Sequence, residues 1–256
     1  MIFDCHVHLP SASLGETWEW EACTPDVWAA AEYLRRCGVD RALANSMRGE
    51  VGQTPEDMVI GNDEAVEAAR EHPDLFVPAG LINTNFGEQS LAEIRRCHDE
   101  LGMVWIGELC GYAGGYTYDT DSFSRALGLA AELNMVVQVH IDAPEMDRLC
   151  RAFPEVTFVM PHLGAARETI RARCALAAEH PNLYLDICGS GYERMGVLEL
   201  AVRSAGADRV LFGSDYTIND PAAVMARVRM SGLSEEAKGK ILGGNVLRLL
   251  GERGAR

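Results

Sequence analysis

The stretch Met1-Ile2-Phe3-Asp4-Cys5-His6-Val7-His8 decides how the rest of this 256-residue chain is interpreted. It has the pattern of a buried β-strand that ends in two histidines one residue apart. Side chains at i and i+2 point to the same face of a strand, so His6 and His8 present two imidazoles side by side. Cys5 and Val7 face the other way. Two neutral imidazoles so placed can chelate one metal ion; two histidines at a polar strand end are the alternative interpretation.

The composition is that of a soluble globular protein, with 48% hydrophobic and 24% charged residues. No run of about 18 uncharged apolar residues predicts a membrane span. A core strand begins at the first residue with no signal-like segment before it, and we therefore expect a cytoplasmic protein. The eight cysteines include no Cys-x-x-Cys pair and are expected to be reduced.

The charge of the chain bears on its partners. Its 23 Lys and Arg against 38 Asp and Glu give a formal net charge of −15, which disfavours nucleic acid as a partner because binding to phosphates depends on basic side chains. A small-molecule substrate is expected instead. Lys238 and Lys240, both in the C-terminal segment, are the only lysines. Their position rules out a carboxylated or Schiff-base lysine on a barrel strand.

Short apolar segments alternate with amphipathic stretches along the whole chain. The predicted strands are Ile2–His8, Arg41–Met47, Phe76–Ile82, Met103–Leu109, Met135–Ile141, Val156–Pro161, Leu183–Ile187 and Arg209–Gly213. The predicted helices include Asp57–Glu71, Gln89–Leu101, Ser122–Leu133, Ala166–Glu179 and Glu193–Ala205. This alternation predicts an α/β fold: one (β/α)₈ TIM barrel over residues 1–256 with a C-terminal helical extension. An open doubly wound sheet is the alternative, but no Gly-rich phosphate loop supports it.

Further ionisable residues close other predicted strands. Glu108 ends the fourth, His140 the fifth, His162 the sixth and Asp215 the eighth. In a barrel these ends converge on the face where active sites are built. Ionisable side chains that meet at one mouth need a cation or a hydrogen-bond network to compensate their burial. The pattern therefore favours a metal site, although each residue alone could be structural.

The same residues carry a family resemblance. The His-x-His of strand one, His140, Pro161-His162-Leu163-Gly164 and Phe212-Gly213-Ser214-Asp215-Tyr216 resemble the amidohydrolase superfamily, and most closely its amidohydrolase-2 branch. Asn245-Val246-Leu247-Arg248-Leu249-Leu250 resembles the C-terminal Asn-x-x-Arg-Leu-Leu helix of that branch. The resemblance implies a (β/α)₈ barrel with one or two divalent metal ions. Zinc is the usual metal, and manganese is the alternative.

The resemblance also implies roles for individual residues. Carried over by motif, the metal ligands are His6, His8 and His140, and Asp215 is both ligand and proton shuttle. His162 would orient water or substrate. Thr217 departs from the proline that many members have at that position, and we expect this to affect only the loop.

Glu108 leaves the number of metal ions open. It resembles the fourth-strand glutamate of the TatD-type hydrolase branch, which can bridge two ions. With two ions, Glu108 would be a bridging ligand and His162 could become a ligand as well.

The sequence leaves several functions open. The first hypothesis is a metal-dependent hydrolase of a small amide, ester or lactone. A decarboxylase or hydratase of a small carboxylic acid is the second, and a TatD-type nuclease and a non-catalytic barrel are the others. Arg48 and Tyr112 are candidate substrate-binding residues, although an arginine in such a position is more often a solvated surface charge. Trp18 and Trp20 lie in the loop after strand one. Many barrels of this branch are dimers, but no segment marks an interface.

Overall fold

A computed structural model describes residues 1–11 and 25–254 of the chain; Trp18 and Trp20 lie outside them. The strands are β1 (Phe3–Leu9), β2 (Arg41–Ser46), β3 (Phe76–Pro78), β4 (Trp105–Cys110), β5 (Val136–His140), β6 (Thr157–Met160), β7 (Leu183–Asp186) and β8 (Val210–Leu211). The helices are α1 (Val27–Cys37), α2 (Met47–Val51), α3 (Pro55–Glu71), α4 (Glu88–Arg95), α5 (Gly111–Gly114), α6 (Asp121–Glu132), α7 (Ala143–Ala152), α8 (Arg167–Glu179), α9 (Val197–Ala205), α10 (Pro221–Arg229), α11 (Glu235–Gly239) and α12 (Asn245–Gly251).

The strands are parallel and follow one another in space as they do in sequence. β1 to β3 form one sheet and β4 to β8 a second. Bridges between Val7 and Tyr216 and between Gly80 and Ile106 join the two sheets at both edges. The strand order is therefore cyclic, and the predicted (β/α)₈ barrel is confirmed.

Helix caps in the sequence explain where several helices begin. The Thr54 side chain accepts a hydrogen bond from the backbone of Asp57, and Pro55 fills the first turn of α3. Thr120 caps α6 and Asp142 caps α7 in the same way. Such side chains satisfy backbone N–H groups that have no partner within the helix.

The C-terminal helix α12 closes one end of the barrel. Phe3, Trp105 and Val136, which begin their strands, are buried in one apolar cluster with Val246 and Leu249 of α12. This end is opposite the carboxyl ends of the strands, where the predicted ligands lie. The predicted C-terminal helical extension is thus confirmed, and its helix α12 covers the end of the barrel where the strands begin.

β3, β8 and α9 are among the elements that are shorter than predicted. β3 ends at Pro78: Ala79 N still bonds to the carbonyl oxygen of Ala44 in β2, but Gly80 N bonds to that of Trp105 in β4, so the chain leaves the β2 ladder there. β8 ends at Leu211, four residues before Asp215, whose φ is +61°. Helix α9 begins at Val197 because Gly196 has a φ of +82°. No helix in the described ranges is long and apolar enough to cross a membrane.

Candidate metal centre

The ring of His6 is oriented by a chain of hydrogen bonds inside the barrel. Trp105 Nε1 can only donate, and it bonds to Gln138 Oε1 at 3.0 Å. Gln138 Nε2 therefore donates to Asp186 Oδ2 at 3.2 Å. The same carboxylate oxygen lies 2.8 Å from His6 Nδ1 and accepts its proton. The lone pair of His6 is consequently on Nε2.

The ring of His8 is oriented by an equivalent chain. Asn45 Nδ2 donates to the carbonyl oxygen of Gly107 at 3.0 Å, so Asn45 presents its own Oδ1 to His8 Nδ1, also at 3.0 Å. Glu50 Oε2 lies 2.7 Å from the same ring nitrogen. His8 Nδ1 therefore carries the proton, and its lone pair is likewise on Nε2.

These two lone pairs meet at one point beside a carboxylate. His6 Nε2 and His8 Nε2 are 3.0 Å apart, and Asp215 Oδ1 lies 3.2 Å from His8 Nε2 and 3.7 Å from His6 Nε2. His6, His8 and Asp215, here called the first donor group, are all buried. Electron-pair donors this close repel one another unless a cation lies among them. The arrangement fits a divalent metal ion with nitrogen and oxygen ligands.

The electrostatics of the first donor group favour positive charge. Burial by itself lowers the pKa of His8, but the carboxylates of Glu50 and Asp215 outweigh it and raise that pKa to about 10. The buried imidazole of His8 therefore binds a proton tightly, and a metal ion would compete with that proton for the Nε2 lone pair.

Glu108 extends the cluster toward two further histidines. Its Oε2 lies 3.5 Å from His6 Nε2, whereas its Oε1 lies 3.1 Å from His140 Nδ1 and 3.4 Å from His162 Nε2. Burial raises the pKa of Glu108, but His6 and hydrogen bonds from His140 and His162 hold it well below its usual range. Glu108 is therefore an ionised carboxylate and a competent metal ligand.

Two of the predicted site residues have unusual backbone conformations. Asp215 has a φ of +61° and His162 a φ of +63°, values that non-glycine residues rarely adopt. Asp215 N donates to the carbonyl of His6 at 2.9 Å, which ties the turn after β8 to β1. Arg173 donates to the carbonyl of His162. A Cβ at Gly189 would lie 2.0 Å from His162 Nδ1, so only glycine fits there.

A cavity of about 540 Å³ opens beside the cluster. His140, His162 and Asp215 line it, together with Arg173, Tyr192 and Glu193. Its remaining lining residues in the described part of the chain are Gly164, Gly189, Ser190 and Asn219, so no aliphatic side chain faces it there. Such a lining suits a small polar molecule.

The two candidate substrate-binding residues have different surroundings. Arg48 Nη2 pairs with Asp57 Oδ1 at 3.0 Å and is not among the residues that line the cavity. Tyr112 is 76% exposed, and its ring meets the edge of His140 at 5.2 Å between centroids. Tyr116 and Tyr118 of the same segment are buried in the core. Of these three tyrosines only Tyr112 is exposed, and like Arg48 it is not among the residues that line the cavity.

Several residues of the centre were not identified from the sequence. Asp186 ends β7 and Asn45 lies near the end of β2, so the strand-end rule could have found both. Gln138 precedes His140 by two residues and therefore shares its strand face. No sequence signal indicates Glu50, which reaches His8 from helix α2, or Cys188, whose Sγ lies 3.1 Å from His6 Nδ1.

The fold and the site together define a class of protein: a (β/α)₈ barrel enzyme whose candidate metal centre of histidines and carboxylates lies at the carboxyl ends of its strands. The sequence model of the family described as Amidohydrolase matches residues 3–251. The chain belongs to this family, as its motifs predict. A search of curated proteins gives no match.

Solved structures confirm the fold. A dihydroxybenzoic acid decarboxylase from Polaromonas sp. JS666, with bound manganese and the inhibitor 2-nitroresorcinol, is 16% identical, with a TM-score of 0.78 over 98% of this chain and 96% of that one. The 4-oxalomesaconate hydratase of Rhodopseudomonas palustris is 19% identical, with a TM-score of 0.73 over 97% and 95%. A TIM-barrel protein of Bordetella bronchiseptica is 22% identical, with a TM-score of 0.76 over 99% of both chains.

Proposed function

We propose that the protein is a metal-dependent hydrolase of a small, polar amide, ester or lactone. One observation carries this proposal: the Nε2 lone pairs of His6 and His8 face each other at 3.0 Å beside the Asp215 carboxylate. A divalent ion held there, when bound, lowers the pKa of water toward about 7 and polarises a substrate carbonyl. His140 and Glu108 complete the predicted ligand set.

The residues at the cavity supply the proton transfers of hydrolysis. Asp215 has one oxygen toward His8, and its other oxygen accepts a hydrogen bond from Asn219 Nδ2 at 2.9 Å, which fixes the carboxylate at the cavity wall. Asp215 accepts the proton of the attacking water and returns it to the leaving group. With an ion at the first donor group alone, His162 orients the water or donates to the developing oxyanion.

The cavity supports hydrolysis of a polar substrate over decarboxylation of an arene. An aromatic acid is held by apolar or aromatic side chains around its ring, and Tyr192 is the one aromatic residue besides histidine that lines the cavity in the described ranges.

A lyase is the second candidate, a decarboxylase or hydratase of a small carboxylic acid. Arg173 supports it, because its buried guanidinium lines the cavity and could receive a substrate carboxylate. The similar folds of a decarboxylase and a hydratase point the same way.

Nitrogen donors suit zinc, and we propose zinc as the metal with manganese as the alternative. The TatD-type nuclease and the non-catalytic barrel are supported less well, the first because of the net charge of −15. The cytoplasmic location, the homodimer and the assignment of residues 1–256 to one domain stay predictions.

One experiment separates the two leading candidates. Metal-free protein, prepared by chelation, is reloaded with zinc or manganese and tested on amides, esters, lactones and carboxylic acids, with carbon dioxide release measured in parallel. We expect metal-dependent hydrolysis, absent from a His6→Ala/His8→Ala double variant. Release of carbon dioxide or addition of water without hydrolysis would replace the hydrolase with the lyase. No turnover by metal-loaded protein would favour the non-catalytic barrel.

A further inference from the structure

The thiol of Cys188 lies between His6 of the first donor group and His162 of the cavity wall. Cys188 follows the end of β7 by two residues and is fully buried. Its Sγ lies 3.1 Å from His6 Nδ1, 3.3 Å from His162 Nδ1 and 3.0 Å from Asp186 Oδ2. One sulfur atom therefore contacts groups from three different strand ends.

The main chain of Cys188 fixes the tautomer of His162. The carbonyl oxygen of Cys188 lies 3.4 Å from His162 Nδ1. A carbonyl can only accept, so Nδ1 carries a proton, and the sulfur atom beside this nitrogen is an acceptor toward it as well. His162 Nε2 faces Glu108 and His140, at 3.4 and 3.3 Å. Because Nδ1 is bonded to Cys188, His162 acts on water or on an oxyanion through Nε2.

The proton of the thiol has an acceptor on the other side of the sulfur. A thiol carries one proton. Since Sγ accepts from His162, its own proton is directed at Asp186 Oδ2, because an ionised carboxylate can only accept. The same oxygen accepts the Nδ1 proton of His6 at 2.8 Å. The hydrogen bonds thus run from His162 through Cys188 to Asp186, where they meet the bond from His6.

The backbone after β7 holds this sulfur in place. Cys188 N donates to Asp186 Oδ1 at 3.0 Å, which fixes the turn at the end of the strand. The next residue, Gly189, has a φ of +62° and packs so closely on the imidazole that a Cβ would lie 2.0 Å from His162 Nδ1. The side chain of Cys188 therefore has a fixed position relative to both rings.

We propose that Cys188 is a positioning residue for the hydrolysis: its thiol joins the ring of His162 to Asp186, and through that carboxylate to the ring of His6. This inference rests on the proposed role of His162 at the cavity. The link keeps His162 Nε2 at a constant position relative to the first donor group. Such precision affects the rate, because a displacement of about 1 Å can slow a reaction about 100-fold.

The test observes the ring nitrogens directly and needs no substrate. Zinc-loaded protein with isotope-labelled histidine is examined by long-range nitrogen–proton correlation NMR, which distinguishes protonated from bare ring nitrogens. A His162→Gln variant assigns the signals of that ring. We expect one tautomer, protonated at Nδ1, in the wild type and in Cys188→Ser, whose hydroxyl can make both hydrogen bonds. Both tautomers should appear in Cys188→Ala. The matched control Cys174→Ala removes a sulfur from the apolar core at α8 and should leave the signals unchanged.

An Asp186→Ala variant tests the link itself. Asp186 bonds to Cys188 and to His6. Its removal should shift the His162 signals in the wild-type background, and it should shift them no further in the Cys188→Ala background, because the link is already broken there. An equal shift in both backgrounds would mean that the coupling does not pass through the thiol, and the inference would be wrong.

The kinetic readout follows once a substrate has been identified among the amides, esters and lactones. Cys188→Ala should lower kcat by about 10- to 100-fold with little change in KM, and Cys188→Ser should restore most of it. Loss of overall structure would instead affect both variants and the Cys174→Ala control.

The possible results distinguish this inference from the hydrolase proposal. Unchanged His162 signals in Cys188→Ala, or equal changes in Cys188→Ser and Cys188→Ala, would overturn the role of the thiol even if hydrolysis were found. The expected signals in a protein that hydrolyses nothing would uphold the link and leave the hydrolase proposal to fail alone. If Cys188→Ala does not fold, which circular dichroism reports, the effect of Asp186→Ala on His162 decides the question.

Discussion

At the scale of single residues, Asp186 determines which nitrogen of His6 faces the metal centre. It contributes no atom to the first donor group, yet its Oδ2 accepts the proton of His6 Nδ1 and a hydrogen bond from Gln138. Asp186 acts on the site by holding His6 in one tautomer and one ring orientation. Groups of this kind are worth a large part of the affinity of a metal site.

We therefore expect Asp186→Ala to weaken metal binding by about 10- to 100-fold while every proposed ligand stays in place. Competition against a coloured chelator measures the affinity. The control is Asp208→Ala, at an exposed carboxylate paired with Lys240. Equal affinity in the two variants would show that Asp186 does not orient His6.

The residue scale also shows how far the sequence reaches. The spacing of His6 and His8 predicted a shared strand face, and strand ends predicted that Glu108, His140 and Asp215 would lie near one another. The sequence could not tell which oxygen of Glu108 faces which histidine, because that depends on side-chain rotamers and on ring tautomers set by Asn45 and Asp186. These partners come from other strands, so no local spacing encodes them.

At the scale of elements, the turn after β8 depends on a glycine. A Cβ at Gly213 would lie 2.4 Å from Asp186 Oδ1 and 2.7 Å from the Cβ of His6. Both neighbours belong to the metal centre and are fixed by hydrogen bonds, so neither has room to move. The close packing of β1, β7 and the β8 turn leaves space for a backbone but not for a methyl group.

Gly213→Ala should accordingly lower the free energy of unfolding by about 1–3 kcal/mol, because overpacking a fixed site forces its neighbours apart. Metal affinity should fall as well. Gly128→Ala is the matched control: Gly128 is an exposed residue of α6 with open space around its Cβ position, and alanine there should stabilise by about 0.5–1 kcal/mol. Chemical denaturation measures both changes, and a Gly213→Ala variant as stable as wild type would contradict this view of the turn.

Helix α8 contributes a brace between two strand ends. The buried guanidinium of Arg173 donates to the carbonyl oxygens of Ile141 at 3.0 Å and Pro161 at 2.6 Å, and also to that of His162. These carbonyls follow β5 and β6, which carry His140 and His162. One side chain thus fixes the spacing of two strand ends at the cavity.

Replacing this brace should be costly. Arg173→Met leaves three carbonyls without their donor, and we expect a loss of about 3 kcal/mol or more in the free energy of unfolding. The neighbouring Arg171 is exposed on the same helix, and Arg171→Met should change stability by no more than about 0.5 kcal/mol. Urea denaturation of both variants is the measurement; similar losses would mean that helix α8 and not the brace is responsible.

The sequence predicted which segments form strands better than it predicted where those strands end. Alternating apolar and amphipathic segments gave all eight strands in order, because each buried parallel strand is apolar on both faces. β3 and β8 proved shorter than predicted, since apolar residues continue past the last ladder hydrogen bond into turns that are themselves buried. Buried residues continue beyond the end of each of these strands, and hydrophobic periodicity alone does not distinguish the strand from the buried turn that follows it.

At the scale of the whole molecule, we expect an ion bound among the buried carboxylates to stabilise the folded protein. An ion that binds only the folded protein stabilises it by about 2.7 kcal/mol at a free concentration one hundred times its dissociation constant. For a chain of this size we expect a melting temperature about 5–10 °C higher with Zn²⁺ or Mn²⁺ than after chelation. Differential scanning calorimetry measures it, and the His6→Ala/His8→Ala variant should show no such rise. An equal rise in that variant would mean that the ion binds elsewhere.

The charge of the whole molecule leads to a second prediction. With a net charge of −15, the protein should neither shift the mobility of duplex DNA nor degrade it at about 150 mM salt, with or without Mn²⁺, because DNA affinity depends on neutralising phosphates. A gel-shift and a cleavage assay are sufficient. Metal-dependent cleavage would revive the nuclease alternative.

The contact between β1 and the turn after β8 determines when the first donor group can form during synthesis of the chain. Asp4 Oδ1 accepts a hydrogen bond from Ser214 N, 210 residues further along the sequence, and His6 and Asp215 meet beside it. During translation the first histidines leave the ribosome long before the aspartate that faces them has been polymerised. A nascent chain therefore cannot complete its first donor group until its eighth strand has emerged, and binding of the proposed ion at that group would mark a barrel that has closed on itself.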